Sequence, residues 1–294
     1  MYLDFFSFAE KPFGVTPDTR FLYHSTQHEE VLGTLLYGIR ERRGFILMTG
    51  EVGTGKTTTL RALLNRLEAE RPTHPVETSL VINPLLSTLD LIKSINQDFG
   101  IEAAREGSLQ DQISALNCFL LAREREGRNA VVIVDEAQDL SMDSLEMVRL
   151  LSNLETETHK LLQLILVGQP ELDDKLAQPA LRQLRQRIQV RYRLEPLDAE
   201  ETHRYIIHRL NTAAPKCCLV FEPSALKKMY ELTGGVPRLI NTLGELVLMA
   251  AYTEETHVIT RKIVGKAFRE MSDKSGGSRP SSVWRIWKSH VTPS

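Results

Sequence analysis

Apolar residues in this chain fall into short unbroken runs separated by longer stretches with helical spacing. Phe45-Ile46-Leu47-Met48 and Val131-Val132-Ile133-Val134 are the clearest runs. An uninterrupted apolar run of strand length predicts a strand buried on both faces. Further strands are predicted near residues 78–82 and over Leu161 to Val167. Ile188 to Leu194 alternates apolar and charged residues, the pattern of an edge strand. Between the runs, helices are predicted over 26–43 and 57–70, and from Ser87, from Ser108 and from Ser141. Ser87 followed by Asp90 has the spacing of a capping box. Alternating strands and helices predict right-handed crossovers and a mostly parallel sheet covered on both faces. A ligand then sits beyond the carboxyl ends of the strands.

The pattern changes after Pro196. Residues 198–271 carry helical periods, with helix starts at Asp198, Pro223, Pro237 and Thr260. The expected organisation is an α/β domain at 1–196, a helical domain at 197–271 and a flexible tail at 272–294. The tail contains Trp284 and Trp287 beside Arg285 and Lys288. It is either a short amphipathic anchor for a membrane surface or partner, or a tail without a role.

Composition narrows the class. The chain has 294 residues, 42% hydrophobic and 25% charged, with a net charge of −2. That is ordinary for a globular protein, and it provides no global field for nucleic acid or anionic lipid. No run reaches the roughly 18 apolar residues of a membrane-crossing helix, and Met1 to Arg20 lacks the form of a signal peptide. The three cysteines, Cys118, Cys217 and Cys218, show neither metal spacing nor a disulfide framework. Cys118 lies in a helical apolar pattern and is expected to be a core thiol. A cytoplasmic location is expected, including the periphery of the inner membrane.

Candidate chemistry lies at the ends of two predicted strands. Gly50-Glu51-Val52-Gly53-Thr54-Gly55-Lys56-Thr57 fits G-x-x-x-x-G-K-[ST] between a strand and a helix. Its glycines let backbone N–H groups curl around an anion, and the helix that follows presents its positive end. Lys56 then reaches the β- and γ-phosphates of a nucleotide, and the Thr57 hydroxyl ligates Mg²⁺. The run 131–134 ends in Asp135-Glu136. Asp135 is placed to hold Mg²⁺ as a Walker B carboxylate does, and Glu136 to polarise an attacking water. The expected ligands are therefore ATP and Mg²⁺, with Thr58 closing the phosphate loop.

A P-loop α/β domain followed by a small helical lid resembles the AAA+ ATPases. Narrower signatures flank the loop: Thr16-Pro17-Asp18, Leu36-Tyr37-Gly38-Ile39, Arg42-Arg43-Gly44-Phe45, Asp135-Glu136-Ala137-Gln138, Leu150 to Glu155, Val167-Gly168-Gln169-Pro170-Glu171-Leu172 and Leu181 to Arg187. Together, over roughly residues 1–270, they resemble the general secretion pathway A ATPases of the ExeA/GspA type. The implied fold is a three-layer P-loop NTPase with a C-terminal helical lid. The family's secretion members continue into a transmembrane helix and a peptidoglycan-binding domain, and neither is expected here.

The resemblance implies further roles. Gln169 stands where AAA+ proteins place a polar sensor that orients water; the alternative is a loop glutamine before Pro170. Arg238, in Gly234-Gly235-Val236-Pro237-Arg238, looks like a second sensor at the γ-phosphate; the alternative is a solvated first-turn arginine. Arg182, Arg185, Arg187, Arg191 and Arg193 occupy the region that supplies an arginine finger to a neighbouring subunit, with Arg187 preferred and Arg185 second. A solvated basic face and a nucleic-acid patch are the other readings. Phe13, Pro17, Phe21, Leu22 and Tyr23 form either an adenine slot or simple core packing. The expected function is a Mg²⁺-dependent ATPase that self-assembles and drives assembly or remodelling of secretion or pilus machinery. The alternative is an ATP-dependent, DNA-binding regulator of the transposition (TniB-like) type, which the near-neutral charge disfavours.

Overall fold

The computed structural model describes residues 2–14, 19–21, 23, 25–82, 87–101, 107–157, 160–214 and 218–274. They form two compact units, one spanning Thr26–Glu195 and one joining Met1–Ser25 to the chain from Pro196 onward. The first 25 residues, expected with the P-loop domain, thus group with the helical unit.

The Thr26–Glu195 unit is built on five parallel strands: β1 (Phe45–Gly50), β2 (Val76–Val81), β3 (Asn129–Val134), β4 (Gln163–Gly168) and β5 (Ile188–Leu194). Their order is β2-β3-β4-β1-β5, so the alternating strand β5 lies at an edge. The unbroken apolar runs follow from burial on both faces. Ile46, Met48, Val131, Ile133, Ile165 and Val167 meet helices Thr26–Arg40 and Lys56–Glu70 through Val31, Leu35, Ile39, Leu60 and Leu63. The intervening Phe45, Leu47, Val132, Val134, Leu164 and Leu166 face helices Thr88–Asp98, Leu109–Arg125 and Met142–Leu151. Burying such side chains contributes about 1.5–3 kcal/mol each, which fixes the register of the central strands.

Helix ends follow local chemistry. The Ser87 side chain accepts from the Asp90 amide, and Ser108 forms a reciprocal capping box with Asp111. Helix Leu109–Arg125 buries Gln112, Leu116 and Leu120. Cys118 is about 200° around the helix from Leu116, and it is exposed rather than a core thiol. Two short helices, Glu171–Leu176 and Arg182–Arg187, lie between β4 and β5.

The other unit contains helices Ala199–Ala213, Pro223–Thr233, Pro237–Thr253 and Arg261–Lys274. Asp198 caps the first by accepting from the Glu201 amide at 2.7 Å. The unit also holds a short parallel pair, β6 (Val220–Phe221) and β7 (Val258–Ile259). Arg209 fastens the N-terminal segment. It donates to the Pro12 and Gly14 carbonyls at 2.6 and 2.9 Å and lies over the Phe21 ring. Phe13 packs where a Cβ on Gly244 would lie 2.7 Å from its ring. Phe13 and Phe21 are therefore buried in the helical core, and Tyr23 packs beside it. This is the core-packing reading of that aromatic segment; Pro17 and Leu22 lie outside the described residues. So do Trp284 and Trp287.

Candidate nucleotide site

β1 passes directly into the Gly50–Gly55 loop, and helix Lys56–Glu70 begins immediately after it. The glycines have specific reasons. Gly53 and Gly55 have φ values of 84° and 107°, where a side chain is strained. A Cβ on Gly50 would lie 2.6 Å from the Leu194 carbonyl oxygen on β5, and one on Gly55 would lie 2.9 Å from His28 Nε2. Thr54 Oγ1 closes the loop by donating to the Glu51 carbonyl at 2.9 Å. Val52 is exposed at the loop tip, and Glu51 and Thr58 are half-buried.

Lys56 is buried, and its Nζ donates to the Gly50 and Glu51 carbonyls at 2.7 and 3.0 Å. The ammonium is thus folded back on its own loop. Burial holds its pKa below the usual lysine range, against the opposing pull of Glu136, Asp135 and Glu51. An anion in the loop would satisfy that charge.

Asp135 continues β3 and donates its amide to the Val81 carbonyl at 2.9 Å. Its Oδ2 accepts from Thr57 Oγ1 at 3.1 Å, and its Oδ1 accepts from the Glu136 amide at 3.0 Å. Burial pushes the Asp135 carboxyl above its ordinary pKa, more than its two hydrogen bonds lower it. A buried carboxylate beside a hydroxyl is a hard-oxygen donor pair suited to Mg²⁺, which typically takes one or two protein ligands plus phosphate and water. Among the described residues no cluster of three or more His, Cys, Asp or Glu forms a self-sufficient metal cage.

Glu136 has φ 52° and ψ 40°, an uncommon left-handed conformation for a glutamate. Two amides hold its carboxylate. Gln138 Nε2 donates to Oε2 at 2.9 Å, and Gln169 Nε2 donates to the same oxygen at 3.2 Å. Gln138 Oε1 accepts from the Gln169 amide at 3.0 Å. The sequence reading assigned Gln169 a role but gave Gln138 none. The signals were its place two residues after Glu136 and its membership of the Asp135-Glu136-Ala137-Gln138 signature. It also missed His28 against the loop, and Asp173, whose Oδ2 accepts from Thr49 Oγ1 at 3.0 Å.

The arginines separate. Arg187 donates to Ser152 Oγ, Asn153 Oδ1 and the Arg149 carbonyl at the end of helix Met142–Leu151. Arg191 pairs with Asp173 at 3.6 Å and Arg193 with Glu195 at 2.9 Å. Arg182 and Arg185 are exposed and form no ion pair among the described residues. Arg238 is exposed in the first turn of Pro237–Thr253, in the other unit.

A parallel sheet with a P-loop after β1 and an acidic pair after β3 defines a P-loop nucleotide-binding fold. Residues 39–176 match the AAA domain family. Solved structures give the same fold: the ORC2 protein of Aeropyrum pernix (TM-score 0.64, 16% identity, 90% of this chain and 72% of that one) and Cdc6p of Pyrobaculum aerophilum (TM-score 0.65, 19% identity, 88% and 70%). The RuvB branch migration motor of Thermotoga maritima matches at TM-score 0.54 and 17% identity, over 84% of this chain and 69% of that one. The chain is therefore an AAA+ P-loop protein. Over 287 residues it is 41% identical to general secretion pathway protein A of Aeromonas hydrophila. The match takes in 97% of this chain and 50% of that relative, so the chain spans about half the relative's length. Among the described residues no helix is long and apolar enough to cross a membrane.

Proposed function

We propose that the protein is a Mg²⁺-dependent ATPase. The observation that carries this reading is the juxtaposition of Thr57, Asp135 and Glu136 at the ends of β1 and β3. The Gly50–Thr58 loop, with Lys56, binds the phosphates of ATP. Thr57 and Asp135 would hold Mg²⁺, which would supply charge neutralisation to the phosphates. Glu136 accepts a proton from water as its oxygen attacks the γ-phosphorus, and ADP leaves. Gln169 orients that water or the base itself. Arg238 is the candidate second sensor of the γ-phosphate, and Arg187, or Arg185, completes the site of a neighbouring subunit. Phosphate release by the purified chain should therefore require Mg²⁺ and stop in EDTA.

The cellular role in this reading is assembly or remodelling of a secretion- or pilus-type envelope machinery by a self-assembling ATPase at the cytoplasmic face of the inner membrane. The likeness to general secretion pathway protein A supports it. Cells carrying Glu136→Gln in place of the natural protein should accumulate unassembled secretion or pilus components. Normal assembly in those cells would remove the role.

A further inference from the structure

Gln138 does more than follow the acidic pair. Each end of its amide meets a group of fixed hydrogen-bonding sense. Oε1 faces the backbone N–H of Gln169, which can only donate, at 3.0 Å. Nε2 faces Glu136 Oε2, which accepts when ionised, at 2.9 Å. The flipped amide would lose both bonds, so the orientation is determined by its partners. Lys175 Nζ holds the Gln138 carbonyl at 2.9 Å and also takes the Leu140 carbonyl. Space for the amide is reserved by Gly168, where an added Cβ would lie 2.8 Å from Gln138 Oε1 and 2.8 Å from Leu172 Cδ2. The chain thus spends a lysine, a glycine and a glutamate in a left-handed conformation on placing one amide.

We infer that Gln138 is the positioning residue for Glu136: it sets the carboxylate's rotamer and ties the base to the Gln169 backbone at the end of β4. Glu136 Oε2 is occupied by the two glutamine amides, and Oε1 is the oxygen offered to water. The inference rests on Glu136 being the base of an ATPase, as proposed above.

The test compares wild type, Gln138→Ala and Gly168→Ala, with Gln138→Glu as a near-isosteric variant that cannot donate when ionised. Loss of one positioning contact is expected to lower kcat by about 10- to 100-fold. KM and the affinity for a slowly hydrolysed ATP analogue should stay within about twofold, because the loop is untouched. Gln138→Ala added to Glu136→Gln should cost nothing further, since residues acting through one group are non-additive. Hydrogen exchange at the Gln169 amide should accelerate in Gln138→Ala, a readout that needs no turnover. An inactive wild type would remove the ATPase reading and leave the exchange result to judge the contact. Unchanged kcat in Gln138→Ala and Gln138→Glu, full additivity with Glu136→Gln, or unchanged exchange at Gln169 would overturn the inference.

Discussion

The Thr57 hydroxyl donates to Asp135 Oδ2 at 3.1 Å, joining the first turn after the P-loop to the end of β3. Asp135 is only 4% exposed. Burial raises its carboxyl pKa, so the folded protein favours the ionised form less than the unfolded chain does. A carboxyl whose folded pKa exceeds its unfolded pKa destabilises the fold at pH above both values and has no such effect below both. Asp135→Asn should therefore raise Tm at neutral pH in EDTA, and the gain should vanish as pH falls through the carboxylate range. The same substitution should lower Mg²⁺-dependent turnover by at least about 100-fold. A Tm lowered equally at both pH values would show that the carboxylate is a structural group.

Gly55 gives a second prediction. Its φ of 107° strains any side chain, and a methyl group would meet His28 Nε2 at 2.9 Å. Gly55→Ala should weaken binding of a fluorescent ATP analogue by about tenfold or more, since a left-handed alanine alone costs about 1–2 kcal/mol. Lys56→Ala should lose binding altogether. Anisotropy titrations decide both, and wild-type affinity in Gly55→Ala would mean the loop relaxes without cost.

Assembly gives the third. Arg187 is held by Ser152 and Asn153 of its own chain, whereas Arg185 is exposed. A finger acting in a neighbour's site makes specific activity rise with protein concentration. Such a finger contributes about 10³–10⁵ in rate. Mixing Arg187→Ala or Arg185→Ala subunits with Glu136→Gln subunits should restore activity for whichever arginine is the finger. Full turnover by a species that sediments as a monomer would sink the shared site.

Nucleic acid gives the fourth. Arg191 and Arg193 are engaged by carboxylates, which thins the basic cluster read from the sequence. Duplex DNA should bind weakly or not at all at physiological salt, with or without ATP. Real phosphate contacts would give a log–log salt slope near −0.9 per neutralised phosphate. Sub-micromolar affinity lost on charge reversal of Arg182, Arg185 and Arg191 would favour the transposition-type regulator.

The central strands β1, β3 and β4 were legible because they are short, apolar on both faces and followed by glycine or acid. Ile46 and Leu47 face opposite layers, and an unbroken run is the signature of that burial. Caps were legible where a serine precedes an acid by three residues, as at Ser87 and Ser108. Strand β7 was not, because two residues carry no period. The N-terminal aromatics left two readings open because burial of Phe13 depends on Gly244, more than 200 residues away, and no local pattern encodes that. Cys118 misled because a helix with partly apolar neighbours does not declare which face is inward. At the site, Thr57 and Asp135 were candidates by spacing alone, and the structure brings them within hydrogen-bond distance. Gln138 was not, because its role depends on where β4 brings the Gln169 amide.

The most direct test of the account is Mg²⁺-dependent phosphate release by Glu136→Gln measured beside its ATP affinity. The wild type should hydrolyse ATP only with Mg²⁺. The variant should bind ATP as tightly as wild type and hydrolyse it at least about 100-fold more slowly, the scale of a lost general base. Wild-type kcat in Glu136→Gln would contradict the assignment of the base and with it the mechanism built on the Thr57–Asp135–Glu136 arrangement.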